Sequence, residues 1–460
     1  MFFLKTSLFN PIDVVAFPLA LLILFLIGKA ITRRESPETQ RYFKQAFWVR
    51  VVMLVGFTAV MQYYYGGGDS YRYYISILDM RKGLADGAIS FWDFIMAEKS
   101  APFSPLYNYF AIDELGENHY YMMSSSNYAV PKFGTFFSYP FFSSYLAVGM
   151  CFSFFALLGS LQMYRIFVAH FPKIKGQIAL ACFFIPTVCF WSSGILKDSI
   201  TFGALGFLFS SAYNLLVKRR KIVSSLVMAG ISYYLLYLIK PYIMLAFAPA
   251  LLLLMFTLWS EKIASRQLKN FIFGLMVLVG LAGGFALYQN LTSEGALQRY
   301  NTEVILDAID KQRSVYEGSV MQSRSGSNFA LGTTNPALMF PLGIVASYFR
   351  PFPWEIQSPI MVLNALESLL CLALVLYTFF KVGFFKTMRI IFSNPFTLFS
   401  FVFAVLFGGA VGTSTGNFGS LVRYKIPGMP FFIILFLVVL YIAKVPLPAW
   451  TKKFKLLRTS

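Results

Sequence analysis

Long apolar runs, each closed by a short polar break, repeat along this chain from residue 11 almost to its end. Runs of roughly 17–25 such residues are each long enough to cross a bilayer as a helix. They fall at 11–31, 46–64, 141–166, 177–194, 199–217, 222–239, 243–259, 271–288, 359–380, 396–413 and 428–444, about eleven spans. The segment 336–349 (PALMFPLGIVASYF) is apolar but short and holds two prolines, so it is expected to be re-entrant or interfacial. Two larger stretches separate the spans. In 65–140, the run DMRKGLADGAISFWDFIMAEK has the pattern of one or two amphipathic helices lying along the interface. In 289–358, a helical-looking EGALQRYNTEVILDAIDKQRSVYEG precedes the flexible SRSGSNFALGTTN. The alternating ten-residue strands of a barrel are absent. The pattern predicts an all-α polytopic membrane protein, with residues 1–460 as a single transmembrane domain.

Composition agrees: 57% of residues are hydrophobic and 13% charged, too apolar for a soluble domain of 460 residues. The net charge of +19 would suggest nucleic acid if it sat on a soluble domain. Much of it instead occupies short loops: Arg33, Arg34, Arg41 and Lys44; Lys173 and Lys175; Lys218 to Lys221; Lys262, Arg266 and Lys269; Lys381, Lys386 and Arg389; and the tail. With eleven spans these loops share one side, which the positive-inside rule makes cytoplasmic. The amino terminus is then outside and the carboxyl terminus inside, and no nucleic-acid partner is expected. Only Lys5 precedes the first run and no cleavage site is evident, so that run is read as a retained span. The four cysteines (Cys151, Cys182, Cys189, Cys371) all fall in spans without metal or disulfide spacing, and read as small hydrophobes.

Four polar knots at span ends fall on the opposite, outer face: GGGDSYRYY (66–74), SSGILKDS (192–199), FRPFPWE (349–355) and NFGSLVRYKIP (417–427). Ionisable groups near a membrane interior are costly and gather where a cavity or ligand receives them. Asp69 reads as a general base on a sugar hydroxyl, as a ligand for a divalent metal bound to phosphate, or as a helix cap. Arg72 stands three residues on. Lys197 beside a helix start suits a phosphate, with Asp198 in support; the plainer reading is a snorkelling lysine and a capping aspartate. Arg350 offers a planar fork for a phosphate or diphosphate, Glu355 either orients it or receives a proton, and Trp354 gives an aromatic wall. Arg423, beside Tyr424, is a second candidate for the diphosphate, while Lys425 reads as a candidate or a snorkelling residue. Lys240, between two spans, would enlarge the cationic site. His119 and His170 are isolated, so no zinc site or histidine-dependent triad is expected. No cofactor is assigned.

The runs FWSSGILKDSI, FRPFPWE and LVRYKIPGMPF make the chain resemble the EpsG-like and O-antigen-polymerase-like membrane proteins of bacterial envelope polysaccharide synthesis, and more distantly GT-C glycosyltransferases. That resemblance implies residence in the bacterial inner membrane and transfer of sugar from a polyprenyl-phosphate or polyprenyl-diphosphate donor on its outer face. It implies an acidic residue of an early outer loop as base or metal ligand, which Asp69 matches, although that loop follows the second span and not the first. It also implies outer-face arginines for the diphosphate, which Arg350 and Arg423 match. The partners implied are a polyprenyl-linked glycan, membrane lipid and other components of envelope polysaccharide assembly. The alternatives are a flippase or transporter for the same lipid-linked glycan and a non-catalytic subunit of an envelope secretion or assembly complex.

Overall fold

The computed structural model describes residues 7–100, 104–111, 118–260 and 335–447, with positions 102, 265, 267, 271, 274, 329 and 331. The described residues form an all-α, multi-pass membrane protein. Eight helices are long and apolar enough to cross a membrane, and a bent pair makes a ninth. The span expected at 271–288 and the helical stretch within 289–335 lie outside the described residues. The chain divides into two compact units, 1–241 and 242–460.

The first unit opens with α1 (Asp13–Thr32) and α2 (Pro37–Ala59), which continues through a π-turn at Val60–Tyr64. The helix α2 starts nine residues before its apolar run, because Ser36 accepts from the Thr39 N–H at 3.3 Å and Pro37 takes the first position. Arg41 and Lys44 therefore belong to its opening turns. After Gly66, Gly67 and Gly68, all at positive φ, come α3 (Gly68–Ala85), α4 (Phe91–Met96), α5 (Tyr107–Ala111), α6 (Asn118–Met122) and α7 (Ser125–Ser138). The stretch read as one or two interfacial helices is thus a small helical subassembly. The long α8 (Tyr145–His170) follows, then α9 (Lys175–Phe183), α10 (Pro186–Trp191), α11 (Lys197–Tyr213) and α12 (Ile222–Ile239).

Side-chain pairs fix the helix directions. Ser153 bonds Ser193 at 3.2 Å near the start of α8, and His170 meets Tyr213 at 2.6 Å at its end, so α8 and α11 run parallel. Glycines let their backbones touch: a Cβ added at Gly159 would stand 2.6 Å from the Gly203 Cα. A parallel pair needs a return path, and α9 and α10 supply it as one crossing broken at Pro186. The ion pairs Arg165–Glu35 and Lys175–Glu38, each 2.8 Å, place the loops holding Arg33, Arg34, Lys173 and Lys175 at one end of this unit. The Lys218–Lys221 loop joins them through Tyr213. The opposite end carries the first two polar knots, where Ser144 donates to Asp13 at 2.5 Å and Phe57 packs on Trp191.

The second unit contains α13 (Pro241–Ser260, from Tyr242), α14 (Pro336–Phe349), α15 (Pro359–Val382), α16 (Phe384–Ser393), α17 (Pro395–Ser414), α18 (Phe418–Tyr424) and α19 (Met429–Ile442). The expected short segment is the single helix α14, antiparallel to α17. Gly343 and Gly409 make the contact so close that a Cβ at Gly343 would lie 2.8 Å from the Gly409 carbonyl oxygen. The pair α18 and α19 bends by 65°. Phe399, Phe403 and Phe431 close the core beside Phe247. Lys381, Lys386 and Arg389 occupy the end of this unit away from the third and fourth knots.

Candidate functional site

In the first unit, Asp69 lies in the first turn of α3, half-buried, and accepts a hydrogen bond from the Tyr121 hydroxyl at 2.9 Å. The same hydroxyl lies 3.2 Å from that of Tyr73, which donates to Asn127 Oδ1 at 3.3 Å. Asn127 in turn donates to the Tyr121 carbonyl at 2.9 Å. Arg72 lies over the Tyr121 ring, 5.4 Å from its centroid. Lys197 reaches the neighbouring Ser126 hydroxyl at 2.9 Å. The short segment from Tyr121 to Asn127, joining α6 to α7, therefore touches all three charged residues. Burial pushes the phenols of Tyr74 and Tyr128 on the flanking helices up to about 12.

The second knot is buried from Ser192 to Leu196. Asp198 and Lys240 form a buried ion pair with each other. Lys240 thus adds little net charge to a cationic site, and Asp198, in the first turn of α11, is the carboxylate that neutralises it.

In the second unit, Arg350 and Glu355 form a two-pronged ion pair, with Arg350 Nε 2.9 Å from Glu355 Oε1 and 3.1 Å from Oε2. Glu355 also accepts from the Phe352 N–H at 2.8 Å. Both carboxylate oxygens are engaged, so of its two expected roles the geometry favours orienting Arg350 over receiving a proton. The guanidinium lies over Phe329 (4.4 Å) and Phe418 (5.3 Å). Trp354 is 79% exposed and stacks on Phe352 at 4.9 Å. Arg423 and Tyr424 are half-buried in the last turn of α18. Lys425, read as a possible snorkelling residue, instead points inward: it is buried, lies 3.4 Å from Ser368 and within electrostatic reach of Glu367.

Sequence reasoning passed over Arg50. It stands midway along Pro37–Tyr64 and is fully buried. Its Nη1 donates to the Ser192 carbonyl at 3.1 Å and to the Ser192 hydroxyl, while Nε and Nη2 have no hydrogen-bond partner among the described residues. A lone arginine inside WVRVVMLVG was a readable signal. Tyr121, Ser126 and Asn127 carried none, since their role comes from pairing across the fold.

Among the described residues no group of three His, Cys, Asp or Glu side chains could hold a metal ion. What the first cluster offers is a carboxylate on a hydroxyl network beside an arginine and a lysine. The second offers an oriented guanidinium flanked by aromatic rings. No family model, curated protein or solved structure matches the chain.

Proposed function

We propose that this chain is a membrane glycosyltransferase, or a polysaccharide repeat-unit polymerase, of the bacterial inner membrane. Its amino terminus is outside and its carboxyl terminus cytoplasmic, and its donor is a sugar on polyprenyl phosphate or diphosphate. An acceptor hydroxyl attacks the anomeric carbon, the bond from that carbon to the phosphate oxygen breaks, and the hydroxyl proton passes to Asp69. Arg72 and Lys197 stabilise the charge that develops on the departing phosphate. Arg350 and Arg423 are the further phosphate-binding candidates, in the second unit. One observation carries this reading: Asp69, Arg72 and Lys197 converge on the segment from Tyr121 to Asn127.

The test is the glycan profile of cells whose native copy is replaced by Asp69→Asn or Lys197→Met, with protein levels matched. Loss of a surface polysaccharide, with its lipid-linked unit accumulating on the outer leaflet, is the expected result. Normal glycans at normal protein levels would overturn the reading. Arg50 favours the second reading, a flippase or transporter, because such proteins hold charge near the middle of a span. In that case the lipid-linked unit would build up on the inner leaflet.

A further inference from the structure

Building on the transferase reading, we propose that residues 350–357 line a water-filled recess within the second unit, and that the exposed indole of Trp354 is the platform for the sugar ring of the lipid-linked donor. Ser347 bonds the Gly408 carbonyl at 2.6 Å and Tyr348 bonds the Ala404 carbonyl at 2.8 Å. These contacts place the end of α14 about 9–15 Å below the end of α17 at Ser414. Independently, the Arg350 carbonyl accepts from Ser368 at 2.9 Å, about 13 Å along α15 from its start at Pro359. Two helices thus agree that the chain leaves α14 well inside the span and climbs back over the following residues.

That climb is irregular. It contains one 3-10 turn at Pro353–Glu355, and the Phe352 N–H is satisfied by a side chain. Non-helical backbone at such depth persists only where it is buried in protein or lines water, because lipid offers no hydrogen bonds. Burial accounts for Pro351 at the deep end, but not for Pro353, Trp354 and Gln357, which are exposed on the way back. Water is what remains.

The lining has the chemistry of a glycosyl phosphate site. Phe352 holds the Trp354 ring by stacking, so one indole face is presented at little conformational cost. Sugar C–H groups pack on such a face, while the Arg350–Glu355 pair beside it suits a phosphate oxygen and a hydroxyl. A tryptophan serving only as an interfacial anchor would need neither the depth nor the ion pair.

The experiment uses the full chain in lipid nanodiscs. Gln357→Cys is treated with a charged, membrane-impermeant thiol reagent beside Leu363→Cys and Leu370→Cys, whose native leucines are 69% and 61% exposed on α15. The four native cysteines are buried and give a low background. Labelling of position 357 with none at 363 and 370 is expected; no labelling at 357 would overturn the recess, whatever the fate of the transferase reading. Short-chain isoprenyl diphosphate sugars (a panel of hexoses and N-acetylhexosamines) are then added, with the sugar-free isoprenyl diphosphate as comparison. Protection of position 357 by a sugar-bearing probe, weakened about tenfold by Trp354→Ala, is expected. Equal protection by the sugar-free compound, or no protection by any probe, would overturn the sugar platform. Sugar-dependent protection in cells whose glycans are unaffected by Asp69→Asn would keep the site and remove the transferase.

Discussion

Replacing Arg50 by methionine tests whether a buried charge is kept for stability or for use. The arginine is fully buried in α2, and only Nη1 has partners, both on Ser192. A buried donor without an acceptor costs about 1–3 kcal/mol, so Nε and Nη2 together cost about 2–6 kcal/mol. The two charge-assisted bonds to Ser192 return about 1.5–3 kcal/mol each, about 3–6 kcal/mol together. Methionine has similar length and no polar hydrogens, and removing a buried ionic group in favour of an apolar one is often neutral or stabilising. The balance for Arg50→Met lies between about 4 kcal/mol of loss and about 3 kcal/mol of gain, and replacement by a well-packed apolar side chain favours the upper end. For a unit of this size each kcal/mol moves the midpoint by about 2–4 °C. Thermal unfolding of the purified full chain in one detergent, followed by tryptophan emission, reads the shift. A midpoint equal to or above that of the native chain, combined with lost activity, identifies Arg50 as functional. A fall of more than about 16 °C would refute the reasoning, because it would mean that Nε and Nη2 have acceptors that stabilise the fold.

The remaining predictions concern packing. Asp198→Leu strands Lys240 in a buried site and should cost about 3–5 kcal/mol, whereas adding Lys240→Met should recover most of that loss; a double variant as unstable as the single one would argue against the pair. Gly343→Val forces a branched side chain against the Gly409 backbone, and limited proteolysis should show α14 detaching from α17; unchanged protection would contradict the close contact.

Much of the scaffold was legible because crossing a bilayer imposes one local rule, a long apolar run, and the basic loops mark ends by simple charge. The same rule hid the start of α2, where Ser36 and Pro37 begin a helix inside a polar stretch. It also hid the break between α9 and α10, since Pro186 interrupts the helix without changing hydropathy. The charged candidates were visible as exceptions to the pattern. Their partners were not: nothing local links Asp69 to Tyr121 or Lys197 to Ser126, and nothing in the spacing of Asp198 and Lys240 announces an ion pair across 42 residues. Glu355 was easier, because it lies five residues from Arg350 and its role follows from proximity along the chain.

The parallel pairing of α8 with α11 bears on how the protein is made. The return crossing through α9 and α10 is short, interrupted, and carries the buried Gln177 and Thr187. Its run is apolar, but the break at Pro186 presents it to lipid as two short helices and not as one. Its neighbours arrive on either side in time: α8 has already emerged, while α11 is still being synthesised. Close packing of the three as a set therefore needs the glycine seam of Gly159, Gly203 and Gly206 to close. The chain therefore carries an unpacked crossing during translation until α11, the last of the three, has appeared.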